Sequence, residues 1–263
     1  MNTLKKTNGF TLIELVVVLA IIAALAGLVI PQVSMLGRTT DMAATASSQS
    51  ELANNLQLFF VLQKRYPQGL DSLLDTTGAI YASDTTDANT QTRGLPYSGA
   101  DGTRLQAQLT SGELTNVAGT AEYLRSFSRA GFDWVHDHDT TIINSNNSST
   151  ATKRLTSTSP FKVAEVTGAA LISKLVPQGL APTERLVALG IGPRNTAVSK
   201  TIINCPTYPG CDGKYYGRYV AIFKVFASGE RAVLVGVIDS YGRTPDYTQQ
   251  QYNESLPDGA RQG

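Results

Sequence analysis

Gly9-Phe10-Thr11-Leu12-Ile13-Glu14-Leu15, continuing through apolar residues to Ile30, is the stretch that decides the fold of this 263-residue chain. From Phe10 to Ile30 only Thr11 and Glu14 are neither apolar nor small, and about twenty such residues suffice for a helix to cross a hydrocarbon layer. Lys5 and Lys6 precede the run and no acid stands before Glu14. The bias of Lys and Arg to the cytoplasmic side therefore places the N-terminus inside and everything after Ile30 outside.

A carboxylate costs about 2.5 to 3.5 kcal/mol at the centre of a membrane segment, so Glu14, one turn in, needs a partner or a function. Cleavage after Gly9 would give Phe10 a new ammonium group one helical turn from Glu14. The two opposite charges would then offset each other, within one subunit or between neighbours. Two plainer readings compete. A secretory signal peptide cut after Ala26 fits Lys5, Lys6 and Ala24-Leu25-Ala26, but its apolar region usually runs about 7 to 15 residues without an acid. An unprocessed membrane anchor fits the span and leaves Glu14 unexplained.

Lys5-Lys6-Thr7-Asn8-Gly9, then Phe10-Thr11-Leu12-Ile13-Glu14, then the apolar run to Pro31, closely resemble the N-terminus of type IV prepilins and type II secretion pseudopilins. The resemblance implies that a membrane-embedded prepilin peptidase cuts after Gly9 and methylates Phe10. It also implies that Glu14 docks an incoming subunit onto the N-terminus of its neighbour. The implied fold is α+β and pilin-like, a long N-terminal helix packed on a globular head with an antiparallel β-sheet. Residues 1–9 are then the leader, 10–30 the transmembrane half of the helix, 31–66 its amphipathic half and 67–263 the head. The implied partners are other pilins or pseudopilins in a helical filament, the peptidase, an inner-membrane platform protein, an assembly ATPase and inner-membrane lipid. The implied location is the inner membrane, single-pass with the head exported, and a periplasmic or extracellular filament after assembly.

Past Ile30, Pro31 lacks a backbone donor and should bend or loosen the helix without ending it. Val33, Leu36, Ala43, Ala46, Ala53, Leu56, Phe59 and Phe60 recur mostly at three- or four-residue steps, so one apolar stripe continues to a break near Tyr66-Pro67. A helix from Phe10 to Arg65 would be roughly 84 Å long at 1.5 Å per residue, and its outer part must pack on something. The head and the helices of neighbouring subunits are the two partners the resemblance offers. In some members the helix melts near a proline placed like Pro31 during assembly.

A net charge of +1 marks no nucleic-acid partner, and charged residues make up 16% of the chain, with Ser, Thr, Asn and Gln building the polar surface. Cys205 and Cys211 fit one bridge in an oxidising compartment, worth about 2 kcal/mol for so short a loop. Free thiols, or ligands joining the two histidines, are the alternatives. Many pilins carry a cysteine loop at the extreme C-terminus, whereas this pair precedes the clearest strands.

His136 and His138, the two histidines, share a face if extended, which is acceptable metal-ligand spacing. No third ligand is evident, and a polar strand end or loop is the favoured reading. The tracts from Tyr81 to Gly119 and from Asn144 to Ser159 read as polar loops. Ala121 to Phe132 reads as a short helix, Val163 to Val176 as a strand with a helix or second strand, Pro182 to Leu189 as a short helix and Thr201-Ile202-Ile203 as a strand. Tyr215 to Phe226 and Glu230 to Asp239, joined by Ala227-Ser228-Gly229, read as an antiparallel hairpin able to cover the outer half of the long helix. From Tyr241 onward Gly, Pro, Asp and Gln dominate. Some major pseudopilins bind calcium near the C-terminus, but Asp239 and Asp246 lack a recognisable loop spacing, so no metal or cofactor is assigned.

Phosphate-cradling Gly-rich loops, a zinc quartet and a recognisable catalytic triad are all missing from the sequence. The expectation is a non-enzymatic structural subunit of a type IV pilus or type II secretion-like filament. The alternative is a minor pilin or filament-tip binding module for adhesion or DNA uptake, which alone would bring in nucleic acid. A major subunit is abundant along the filament, whereas a tip protein is present in trace.

Overall fold

The computed structural model describes residues 11–74, 78–81, 95, 104–114, 122–136, 152–154, 161–207 and 216–255; the side chains of 28–36, 38–39, 152–154 and 251–255 fall outside that description. The chain divides into two compact units, Met1–Asp41 and Met42–Gly263. Helix α1, Leu12–Gln63, runs from the first into the second and continues through Pro31.

In the second unit the face of α1 carrying Thr45, Ala46, Gln49, Leu52, Leu56 and Phe59 is buried. These positions recur at three- and four-residue steps, the spacing of one side of a helix. Of the expected stripe, Ala46, Leu56 and Phe59 are buried and Ala43, Ala53 and Phe60 half-buried, while the side chains of Val33 and Leu36 lie outside the described residues. Leu52, outside the expected set, belongs to the stripe as well. The helix stops at Gln63, short of the expected Tyr66, because Lys64 turns left-handed (φ 58°) with its N–H still donating to the Phe60 carbonyl at 2.8 Å.

The remaining elements, in chain order, are α2 (Leu105–Gln108), β1 (Leu109–Leu114), α3 (Tyr123–Arg129), β2 (Trp134–His136), β3 (Thr152–Arg154) and β4 (Phe161–Val166), followed by α4 (Ala169–Leu175), β5 (Glu184–Gly190), β6 (Val220–Phe226), β7 (Val233–Ile238) and α5 (Pro245–Ser255). Strands β1-β4-β5-β6-β7 form one sheet in that order, every neighbouring pair antiparallel, while β2 and β3 pair separately. The expected hairpin is β6 and β7, with Val220 opposite Ile238 and a register shift at Ile222/Phe223.

Both faces of the sheet are buried, and the side chains alternate between two cores. Val187, Leu189, Ala221, Phe223 and Val225 join Leu52, Leu56 and Phe59 of α1 and Leu124 and Phe127 of α3 on one face. Leu186, Ala188, Val220 and Ile222 join Leu105, Leu109 and Leu171 on the other. The expected helix at Pro182 to Leu189 is therefore corrected to the central strand β5. A strand covered on both sides reads as an unbroken apolar run, here Leu186-Val187-Ala188-Leu189, and loses the alternation that marks a half-exposed strand.

Three further expectations are corrected. The tract from Tyr81 to Gly119 contains α2 and the edge strand β1, and that from Asn144 to Ser159 contains β3. Thr201-Ile202-Ile203 forms only an isolated bridge, Ile202 to Val198, with Ile203 90% exposed. No element is expected after Tyr241, where the chain forms α5, opened by Thr244, whose hydroxyl accepts the Tyr247 N–H at 3.4 Å, and by Pro245 in the first turn.

Candidate functional site

The first turn of α1 is closed by its own side chains. Thr11 donates both its backbone N–H and its hydroxyl to Glu14 Oε2, each at 2.8 Å, and the Glu14 N–H reaches back to Thr11 Oγ1 at 3.4 Å. This is the reciprocal capping pattern of a Thr followed three residues later by a Glu, and it satisfies donors that a helix start otherwise leaves orphaned. The Thr-x-x-Glu spacing was visible in the sequence as a helix signal but was read there only for its charge. Oε2 takes both bonds, so about half of the carboxylate's acceptor positions are left for another donor.

From Leu12 to Leu25 every Leu, Ile and Val is exposed, from 48% at Val18 to 82% at Leu12. Apolar on all sides, this segment presents no face suited to water. Of the expected span Phe10–Ile30, side chains are described from Thr11 to Gly27. Among the described residues no helix is long and apolar enough to cross a membrane. Lys5, Lys6, Gly9 and Phe10 lie outside the described residues, as do Cys211 and His138. At Pro31 the backbone is helical.

Of the head residues singled out from the sequence, His136 and Asp239 are buried, Cys205 is half-buried and Asp246 is exposed in the first turn of α5. His136 is buried in β2, its ring edge-on to Trp134 at 4.9 Å and its backbone bonded to Leu70 and Ser72. Cys205 carries a thiol 2.7 Å from the Ile191 carbonyl, and burial raises its pKa, which favours the unreactive protonated form. Asp239 is fully buried, takes the Arg243 Nε at 2.7 Å and accepts the N–H groups of Tyr241 and Arg243. Among the described residues no group of three or more His, Cys, Asp or Glu side chains is placed to hold a metal.

Asp71 carries no motif in the sequence that marks its setting. Its backbone exchanges two hydrogen bonds with Gly190, and its Oδ2 accepts the Tyr216 hydroxyl at 2.8 Å. Gly192 lets the chain pass the carboxylate closely, since a Cβ there would meet Oδ2 at 2.5 Å. Burial pushes the Asp71 pKa up to about 6, against the Tyr216 hydrogen bond and the pull of Arg218 and Arg194. Burial also holds the Tyr216 phenol well above its ordinary value. This network ties the loop after α1 to the sheet.

Comparison with known proteins bears on the N-terminus first. The family model of the prokaryotic N-terminal methylation motif matches residues 4–30. The chain is 35% identical over 74 residues to type II secretion system core protein G of Aeromonas hydrophila, covering 27% of this chain and 52% of that protein. It is 36% identical over 78 residues to core protein G of Escherichia coli (strain K12), covering 28% and 54%. The chain thus spans about half the length of the curated relatives it matches. No solved structure gives a significant match. With its capped apolar helix and the motif matched over residues 4–30, this is a chain bearing the prokaryotic prepilin-type methylation motif and similar to a core pseudopilin of type II secretion.

Proposed function

We propose that the protein is a non-enzymatic structural subunit of a type II secretion-like or type IV pilus filament. One observation carries this reading: a helix that opens on a Thr11–Glu14 cap stays apolar and exposed all round to Leu25, in a chain whose residues 4–30 match the methylation motif. Such a segment is stable only in lipid or against other apolar helices, and a filament subunit meets both in turn.

In this reading Phe10–Ile30 spans the inner membrane with Lys5 and Lys6 on the cytoplasmic side. Prepilin peptidase cuts between Gly9 and Phe10 and methylates the new amine, which stays basic. An inner-membrane platform and its ATPase then extract the subunit. Glu14 keeps its bonds to Thr11 and offers its remaining acceptor positions to the Phe10 amine of a neighbour, which sets the axial register. Pro31 loosens the helix as it leaves the membrane, and Cys205 pairs with Cys211 after export.

Intact-mass and N-terminal peptide mass spectrometry on protein recovered from native membrane or filament fractions tests the processing. A mature chain that starts at Phe10 with one added methyl is the expected result. A start near Gly27 would mean a signal peptide and would remove the assembly role of the helix.

A further inference from the structure

We propose that Ile203 of one copy of this chain seats in the groove between α1 and α5 of the next copy, with Lys200 paired to Asp246 across the contact. The contact rests on the filament reading above and adds to it a surface by which one head meets another. Ile203 is 90% exposed, more than any other large apolar side chain among the described residues. A single exposed Ile is common on protein surfaces. What sets this one apart is the loop that holds it and the groove found elsewhere on the same head.

The loop is closely braced. The Ala197 carbonyl accepts the N–H groups of Lys200, Thr201 and Ile202, each at 3.0 Å, and Ser199, left-handed at φ 67°, donates to the Ile202 carbonyl at 2.7 Å. The buried side chain of Asn195 accepts the Ala197 N–H at 2.9 Å and donates to the Gly192 carbonyl at 2.6 Å. Ile202 is anchored in the core cluster that contains Phe59, and Lys200 Nζ lies 5.7 Å from the centroid of the Phe59 ring. Ile203 is thus presented on a preorganised backbone, which lowers the ordering cost of a contact.

The groove has a volume of about 290 Å³, and its lining includes Ala43, Ala46, Ser47 and Ser50 of α1 with Pro245 and Asp246 of α5. Small side chains on α1 give it depth, and Pro245 adds an apolar wall. Gln49 donates to the Arg243 carbonyl at 2.7 Å and so ties the turn before α5 to α1. Asp246 is the one charged side chain among the described lining residues. It is exposed, as is Lys200 beside the projecting Ile203, so an apolar knob with a cation meets an apolar groove with an anion.

Position decides the partner. Phe59, beside the loop, stands thirteen residues beyond Ala46 in the groove, roughly 20 Å along the helix at 1.5 Å per residue. One chain cannot close that distance on itself, whereas a copy displaced along the helix axis can. Knob and groove are different patches, so the contact is head-to-tail and repeats from copy to copy, which builds a filament and not a closed dimer.

The test is zero-length carbodiimide cross-linking of sheared wild-type filaments, with mass spectrometry of the covalent dimer. An amide joining Lys200 to Asp246 is expected. Ile203→Glu should lower filament yield about tenfold, the scale on which loss of a central interface anchor acts. Its membrane level and its start at Phe10 should match wild type, and Trp134 fluorescence checks that the head is folded. Filaments without the Lys200–Asp246 link, or wild-type yield from Ile203→Glu, overturn the contact and leave the filament reading standing. A wild-type chain that yields no filament removes the reading and the contact together.

Discussion

Between Leu12 and Leu25 helix α1 leaves every large apolar side chain exposed, whereas between Leu52 and Phe59 it buries Leu52, Leu56 and Phe59 to 2% or less. The residue types are the same, and what differs is their arrangement around the axis. In the outer segment polar residues such as Glu51, Asn54 and Gln57 separate Leu52, Leu56 and Phe59 into one stripe that the sheet and α3 cover, while Leu58 on another side stays 47% exposed. In the first segment nothing separates them, and one covering surface could reach only part of the circumference. An all-round apolar helix needs apolar cover on every side, while a striped one is completed by its own head.

The largest effect is expected where the first segment meets its surroundings. Glu14→Gln keeps an acceptor at the third helical position and with it the cap to Thr11, but removes the charge. If Glu14 pairs with an amine during assembly, filament recovered by shearing should fall about a hundredfold, the equivalent of roughly 3 kcal/mol for a buried pair that loses one partner. Membrane levels should stay normal. Wild-type yield would reduce Glu14 to a helix cap.

Next in size is the packing of the outer segment. Leu56→Ala should cost the head about 2 to 5 kcal/mol in urea unfolding followed by the single tryptophan, Trp134. Leu19→Ala, exposed in the first segment, should leave that transition within about 0.5 kcal/mol. Equal losses from the two would erase the contrast between the segments.

A smaller effect concerns the buried network of the head. The folded Asp71 carboxyl has a pKa of about 6 against an ordinary value of 3.8, so the folded state binds its proton more tightly than the unfolded state does. Its contribution is fully present below the ordinary value and is lost as pH rises through about 6, with a slope of at most about 1.4 kcal/mol per pH unit. Asp71→Asn should remove this slope when urea midpoints are compared across that window. Asp239, also raised by burial, titrates in both proteins and cancels in the difference. The smallest effect, about 1 kcal/mol, is expected from Thr244→Ala, which strips the cap of α5 and should speed amide exchange at Thr248.

Legibility in the sequence followed how local each cause was. The hairpin of β6 and β7 was readable because its two β-rich runs follow each other in the chain across the short segment 227–232, and α3 because Tyr123, Leu124 and Phe127 share a helical face. Strand β5 was misread, since its burial on both sides erased the period that identifies a strand. Helix α5 was not legible although Thr244-Pro245-Asp246 is a strong local start signal, because its Gln-rich sequence carries too few apolar residues to show a helical period. The partner of Asp71 was out of reach, Tyr216 being 145 residues away.

By itself the sequence determined the apolar N-terminal helix, its motif and the stripe on its outer half. These depend on the order of neighbouring residues, and helical periodicity and membrane insertion read that order directly. Only the tertiary structure decided that β5 is a central strand, that Asp71 is buried against Tyr216, and that α1 and α5 form a groove lined in part by Asp246. Burial and convergence belong to segments brought together across the chain, and no local pattern encodes which distant residue will lie within a few ångströms.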